Sequence, residues 1–286
     1  KFLSIALALL MVCVMLPVVA LAAEKTASTY EELKSAISTA NDGDTIKLLA
    51  DIDLSQTITV NKTITLNMNG KKLYNTSDLW DKPTAEANNW SLISVRGSGN
   101  LTITGNGTFA AKENDCYAVD VQESATVTIK NGTFIGNIHA VYVFAGTANV
   151  EGGTYSVQQK YPDPAKGDEF VLNCYDANRA NGTARINVTG GTFKNFNPAD
   201  NKAEGEGNNF ADNSLVVQKN NTVQNNDYYV GNAANEVIAA ASKGEEIFVL
   251  NGTTLTNVPA GVIIQNRTGD RILSLIHISE PTRLRC

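Results

Sequence analysis

An all-β solenoid is the fold class this sequence predicts, and three observations carry that expectation. A motif of alternating apolar residues, then Gly-Thr, then an aromatic ring recurs along the chain. It reads LTITGNGTFAA at residues 101–111, TVTIKNGTFIG at 126–136, ANVEGGTYSV at 148–157 and INVTGGTFKNF at 186–196. The rings, Phe109, Phe134, Tyr155 and Phe193, stand 25, 21 and 38 residues apart. Such a period belongs to repeats that bury their apolar face only against the next copy. The composition agrees: 43% hydrophobic, 18% charged, 22 Gly and only 7 Pro, with abundant Asn and Thr that favour strands and turns over helices.

The elements follow in order. Residues 2–21 form an apolar run after Lys1, leading into Ala20-Leu21-Ala22, the pattern of a secretory signal cleaved near Ala22. Domain 1–22 is therefore expected to be removed, leaving a secreted or cell-surface bacterial protein with no stable membrane insertion. One helix is expected next. Thr29 and Glu32 make a T-x-x-E capping box, and Leu33, Ala36, Ile37 and Ala40 follow at helical spacing. Gly43 is placed at its left-handed end.

From Asp44 the period changes to two. Ile46 and Leu48, Ile52 and Leu54, Ile58 and Val60, then Ile64, Leu66 and Met68 alternate in short strands. Each later motif is preceded by another such strand: SLISVRG, CYAVDVQ, HAVYVFA and FVLNCYD. The unit is read as strand, turn, strand and a Gly-Thr-aromatic corner. In it Ile103, Ile129, Val150 and Val188 point inward and each ring stacks on the next, a gain of about 0.5–1.5 kcal/mol per pair beyond burial. The motif is architecture, with no catalytic chemistry in it.

The helix and the stretch NDGDTIKLLADIDLSQTITVNKTITLNMNGKKL resemble the N-terminal cap and first turns of pectate-lyase-like right-handed parallel β-helix proteins. GGTFKNFNPADNKAEGEGNNF (residues 190–210) resembles the closing segment of such helices in secreted proteins of gut bacteria. The resemblance covers roughly residues 29–230. It implies a right-handed parallel β-helix over 23–231, a fold that hosts lyases, hydrolases, adhesins and phage tail parts. Residues 232–272 are read as the start of a second small β module or a C-terminal flap. Residues 273–283, LSLIHISEPTR, resemble a translated sequencing adapter, so 273–286 are set aside as a non-native tail.

Charge and residue types exclude several functions. A formal charge of −6 without Lys/Arg clusters gives no footing for nucleic acid. Between the trimmed ends only His139, Cys116 and Cys174 remain of the soft metal ligands, so neither a metal nor a cofactor is expected. The two cysteines, about two turns apart, should be free and buried, since strand spacing puts them about 10 Å apart. The polygalacturonase fingerprints, NTD, DD, GHG and RIK, are missing. His139 sits in GNIHAVYV and reads as a satisfied turn residue.

A candidate surface does emerge from register. If Val95, Val121 and Val143 stack inward, Ser94, Asp120 and Tyr142 form one outward file, and Arg96, Gln122 and Phe144 the next. Asn173 and Tyr175 continue both. The strip bearing Arg96, Asp120, Tyr142 and Phe144 would suit a sugar, rings stacking on pyranose faces and charges meeting hydroxyls or a uronate. The alternative is an ordinary exposed ladder with one salt bridge. One carboxylate supplies neither a calcium site nor a glycosidase pair, so no catalytic residue is assigned. Trp80 and Trp90, in the insertion at residues 75–90, are read either as a platform beside the strip or as a plug beneath the loop. A second insertion, 157–169, carries Tyr161, Asp163, Asp168 and Glu169. The functional expectation is a non-catalytic, adhesin-like module for polysaccharide or cell-surface glycan. A polysaccharide lyase or glycoside hydrolase and a phage tail or decoration protein are the alternatives.

Overall fold

The computed structural model describes residues 22–80, 90–159, 170–200, 208–219 and 226–269, with the backbone of 273–275 and 284–285. The leader and the acidic residues of the second insertion lie outside the described residues. The chain begins with β1 (Glu24–Ala27) and α1 (Tyr30–Ser38), then writes strands in threes. The first three triplets are β2 (Thr45–Leu48), β3 (Ile52–Asp53), β4 (Ile58–Val60); β5 (Thr63–Asn67), β6 (Lys72–Tyr74), β7 (Ser91–Val95); and β8 (Asn100–Thr104), β9 (Thr108–Ala110), β10 (Tyr117–Val121). Next come β11 (Thr126–Ile129), β12 (Thr133–Gly136), β13 (Val141–Val143), then β14 (Gly146–Val150), β15 (Thr154–Val157), β16 (Leu172–Cys174). After α2 (Asp176–Ala180), β17 (Ala184–Val188) and β18 (Gly191–Lys194) open a further round.

Each round lays one strand in each of three sheets. The first runs β1-β2-β5-β8-β11-β14-β17; the second contains β3-β6-β9-β12-β15-β18; the third is β4-β7-β10-β13-β16. Within these rounds neighbouring strands are parallel. The protein is therefore all-β, dominated by long parallel sheets. The expected inward file is present: Ile46, Leu66, Ile103, Ile129, Val150 and Val188 pair in succession and are buried. Burying one such side chain contributes about 1.5–3 kcal/mol. The rings of the second sheet also stack: Phe109–Phe134 at 4.8 Å, Phe134–Tyr155 at 5.1 Å and Tyr155–Phe193 at 5.0 Å, with planes 10–13° apart. Tyr155 tolerates full burial because its hydroxyl donates to the Gly152 carbonyl at 2.6 Å.

Four details differ from the sequence reading. The Gly-Thr-aromatic segment is itself a strand, so a round holds three strands; Gly132 (φ 115°) makes the bend just before β12. β1 was not foreseen, because only Ala27 of it is buried. It is held by pairing with β2 and by Asp44, whose carboxylate accepts from the N–H groups of Ala23 (2.8 Å) and Asn41 (2.9 Å). α1 ends at Ser38 with Thr39 as its cap, and Gly43 (φ 93°) serves the turn into β2 instead. Finally, Glu32 closes the capping box on Ser28, one residue before the cap, at 2.7 Å, while Thr29 Oγ1 accepts from the Glu32 N–H.

Beyond β18 the pairing becomes antiparallel. β20 (Asp227–Val230) lies between β18 and β19 (Val216–Lys219), and β19 pairs on with β21 (Glu246–Asn251). α3 (Asn232–Ala239), β21, β22 (Thr254–Thr256) and β23 (Ile263–Asn266) share a second, smaller apolar cluster that includes Ala234, Ile238, Val249, Leu255 and Ile264. The backbone of β24 (Leu273–Leu275) and β25 (Leu284–Arg285), within the tail read as adapter-derived, runs parallel to β22 and β23.

Candidate functional site

The outer face of the third sheet brings the candidate strip together. Val95, Val121 and Val143 pair and are buried, so the residues between them face outward. One outward file is Thr59, Ser94, Asp120, Tyr142 and Asn173. The next follows the strand ends through Arg96, Gln122, Phe144 and Tyr175. The N–H groups of the last three bond to the carbonyls of Val95, Val121 and Val143 at 2.9 Å.

Facing outward does not make this strip wet. Asp120 has no exposed surface, and Ser94 and Gln122 are buried with it. Its carboxylate accepts from Ser94 Oγ at 2.9 Å and from Gln122 Nε2 at 2.7 Å, while Arg96 Nε donates to Ser94 Oγ at 2.9 Å. The expected surface salt bridge is thus replaced by a relay, Arg96 to Ser94 to Asp120. Burial pushes the Asp120 carboxyl up from 3.8 to about 6, against the opposing pull of its two donors and of Arg96. With both oxygens engaged inside the protein, this carboxylate positions Ser94, Gln122 and Arg96 and is not presented to solvent.

Rings gather beside this relay. Trp80 and Trp90 stack at 5.8 Å with planes 23° apart, and Trp80 meets Tyr117 edge-on at 5.4 Å. Tyr117 contacts Tyr142 at 5.3 Å and His139 at 4.6 Å. Further along, Phe144 stacks on Tyr175 at 4.9 Å. The plug reading of the tryptophans is corrected: Trp80 and Trp90 are 44% and 41% exposed, and the buried anchor of the segment before Trp80 is Leu79. Five large apolar side chains are exposed among the described residues. Four are Trp80, Trp90, Phe144 and Tyr175, all on this face, and the fifth is Leu49.

Two contributors, Tyr117 and Asp115, escaped the sequence reading, and Asn173, expected in the outward file, meets His139. Tyr117 has the inward parity of Val119 and Val121, yet at the strand start its ring joins the outer cluster. Asp115 is buried and accepts from Asn75 Nδ2 (2.7 Å), the Leu79 N–H (2.9 Å) and the Trp80 N–H (2.9 Å), which fixes the backbone that carries Trp80. Asn173 lies within 3.3 Å of His139 Nε2, whose Nδ1 is 2.8 Å from the Phe170 carbonyl. Those partners assign a neutral ring, with Nδ1–H donating to Phe170 and Nε2 accepting from Asn173. Burial holds its pKa down, from 6.5 to about 4, so His139 is a satisfied neutral side chain over the physiological range.

Elsewhere, a shallow trough of about 480 Å³ follows the glycine turns between the first and second sheets, beside Lys130 and Glu151, and carries no aromatic side chain. Among the described residues no three His, Cys, Asp or Glu side chains cluster to hold a metal ion. Cys116 and Cys174 are free and buried, and burial drives the Cys116 thiol well above the usual thiol range. No protein-family model, curated protein or solved structure matches this chain.

Proposed function

We propose that this chain is a secreted, non-catalytic binding module. In this reading it is a right-handed parallel β-helix of pectate-lyase-like type whose third sheet presents an aromatic face to a polysaccharide or cell-surface glycan. Rotation of successive strands through three parallel sheets supports the helix, and parallel crossovers are right-handed in nearly all known cases. α3, β21 and β23 repeat the order of the first cap and strand, which supports a second unit beginning near residue 232.

The observation that carries the function is the gathering of exposed rings on one face. Contiguous exposed apolar surface on a soluble protein marks an interaction site. Flat rings flanked by hydrogen-bonding side chains match a sugar, which offers an apolar C–H face and a rim of hydroxyls. The half-buried Arg96 supplies that rim, held in place by Ser94, which Asp120 fixes in turn. A lyase or hydrolase would need a carboxylate or base presented to the substrate, whereas the Asp120 oxygens are spoken for.

The test is incubation of the purified chain with neutral and acidic polysaccharides, following retardation in affinity electrophoresis, unsaturated product and reducing ends. Retardation without product is expected. Turnover that disappears in Asp120→Asn or Arg96→Gln would replace this reading with the enzymatic one.

A further inference from the structure

The glycan reading leaves open which part of a glycan is recognised, and the layout of the rings bears on that. They form a track. Trp90 leads to Trp80, Trp80 to Tyr117 and Tyr117 to Tyr142, at 5.8, 5.4 and 5.3 Å between centroids. A second group of rings starts at Phe144, two residues after Tyr142 and just past the end of β13. Phe144 then passes to Tyr175 at 4.9 Å.

The track runs obliquely. From the level of Trp90, just before β7, to that of Tyr175, just after β16, it crosses three strand spacings, about 14 Å, and advances six residues, about 20 Å. Its two ends are its most exposed parts, Trp80 with Trp90 and Phe144 with Tyr175; the middle is the half-buried Tyr142 over the buried Tyr117. The ends differ in how they are held. The Trp80 end depends on Asp115, which grips the Leu79 and Trp80 N–H groups; the Phe144 end is set by the N–H bonds of Phe144 and Tyr175 to the neighbouring strands, with Asn178 Nδ2 donating to the Phe144 carbonyl at 2.7 Å.

A pyranose ring covers about one aromatic ring. A monosaccharide or a chain end would therefore leave most of this track untouched, and only a chain interior would use both ends at once. Resting on the glycan reading, we infer that the face binds the interior of a linear polysaccharide, spanning about four sugar units or more from Trp80 and Trp90 to Phe144 and Tyr175, with Asp115 as a positioning residue for one end. Length is what the track reads. Two ring clusters on one rigid face act as linked subsites, so a ligand reaching both gains over one reaching either.

The experiment is isothermal titration of the full chain with cello-, xylo-, manno-, chito- and galacturono-oligosaccharides, each from dimer to octamer, alongside the parent polymers. In the series that binds, affinity is expected to rise roughly tenfold for each unit that gains a ring, then level off near the length of the track. Trp80→Ala and Phe144→Ala should each bring that plateau to a shorter chain, without changing the affinity of the shortest ligand that binds at the other end. Asp115→Asn should resemble Trp80→Ala, and Asp115→Glu should recover part of the long-chain gain. Equal affinity for dimer and octamer, or binding abolished by modifying one chain terminus, overturns the inference and leaves glycan binding standing. If no oligosaccharide or polymer binds while a proline-rich peptide does, or nothing binds, the glycan reading falls with it.

Discussion

Two columns of aromatic rings run through this molecule, one inside and one outside. The inner column, Phe109, Phe134, Tyr155 and Phe193, has no exposed surface, and its centroids are spaced 4.8–5.1 Å apart with nearly parallel planes. The outer one, Trp90, Trp80, Tyr117 and Tyr142, has similar spacing, yet its planes lie anywhere from 23° to 74° apart and its outer members face water. The inner rings occupy the same position of the repeat, whereas the outer ones come from an insertion, a strand start and a strand middle. Repetition marks what holds the fold; departure from repetition marks what the fold presents.

Removing a ring from each column tests that contrast most forcefully. Phe134→Ala opens a cavity between two stacked neighbours and should cost about 3–5 kcal/mol in denaturant unfolding. Trp80→Ala should cost less than about 1 kcal/mol, since its ring is half in water. Equal costs would erase the distinction.

Glycines sharpen the same point for the backbone. At Gly146 (φ 94°) a Cβ would come within 2.2 Å of the Ala125 carbonyl oxygen, whereas at Gly182 (φ 80°) nothing lies within 4 Å. Gly146→Ala should destabilise by about 2–3 kcal/mol and Gly182→Ala by about 1 kcal/mol, the left-handed strain alone.

Between pH 4 and 6.5 the outer face carries a pH signature that the inner column lacks, since the one titratable ring there, Tyr155, is pushed up by burial. Asp120, at about 6 when folded against 3.8 when unfolded, adds stability that is complete below pH 3.8 and is lost as the pH rises through 6. His139, at about 4 against 6.5, adds stability that is complete above pH 6.5 and is lost as the pH falls through 4. The two oppose each other in one window, while burial pushes the Tyr117 hydroxyl up, away from it. The joint contribution of Asp120 and His139 to stability should therefore be nearly flat between pH 4 and 6.5. Asp120→Asn should expose the His139 slope, a loss on the order of 2 kcal/mol on acidification, and His139→Gln the reverse. Parallel profiles for all three proteins would contradict both assignments.

The smallest effect expected concerns the thiols. Buried and free, Cys116 and Cys174 should react with a thiol reagent only on unfolding, and the intact mass should show both reduced.

The sequence disclosed the inner architecture well, because period-two alternation and a recurring ring reflect local geometry. Val95, Val121 and Val143 could be aligned by eye, and that fixed the outward files of Asp120 and Phe144. What lay hidden depended on contacts distant in sequence. Asp115 reaches Asn75 and Trp80 across an insertion. Tyr117 obeys inward parity and still joins the outer cluster. Asp120 looked like a surface charge because register gives direction, whereas its burial depends on the side chains around it. β1, with one buried residue, has no pattern to read.

The central claim, that the inner rings hold the fold and the outer rings bind, is tested most directly by measuring glycan affinity and thermal midpoint on the same samples. The samples are wild type, Phe134→Leu and the Trp80→Ala/Phe144→Ala double variant. The double variant should lose roughly a hundredfold in affinity with a midpoint within a few degrees of wild type. Phe134→Leu should keep its affinity while its midpoint falls. A double variant that binds as wild type does but melts as early as Phe134→Leu would show that the outer rings are packing as well.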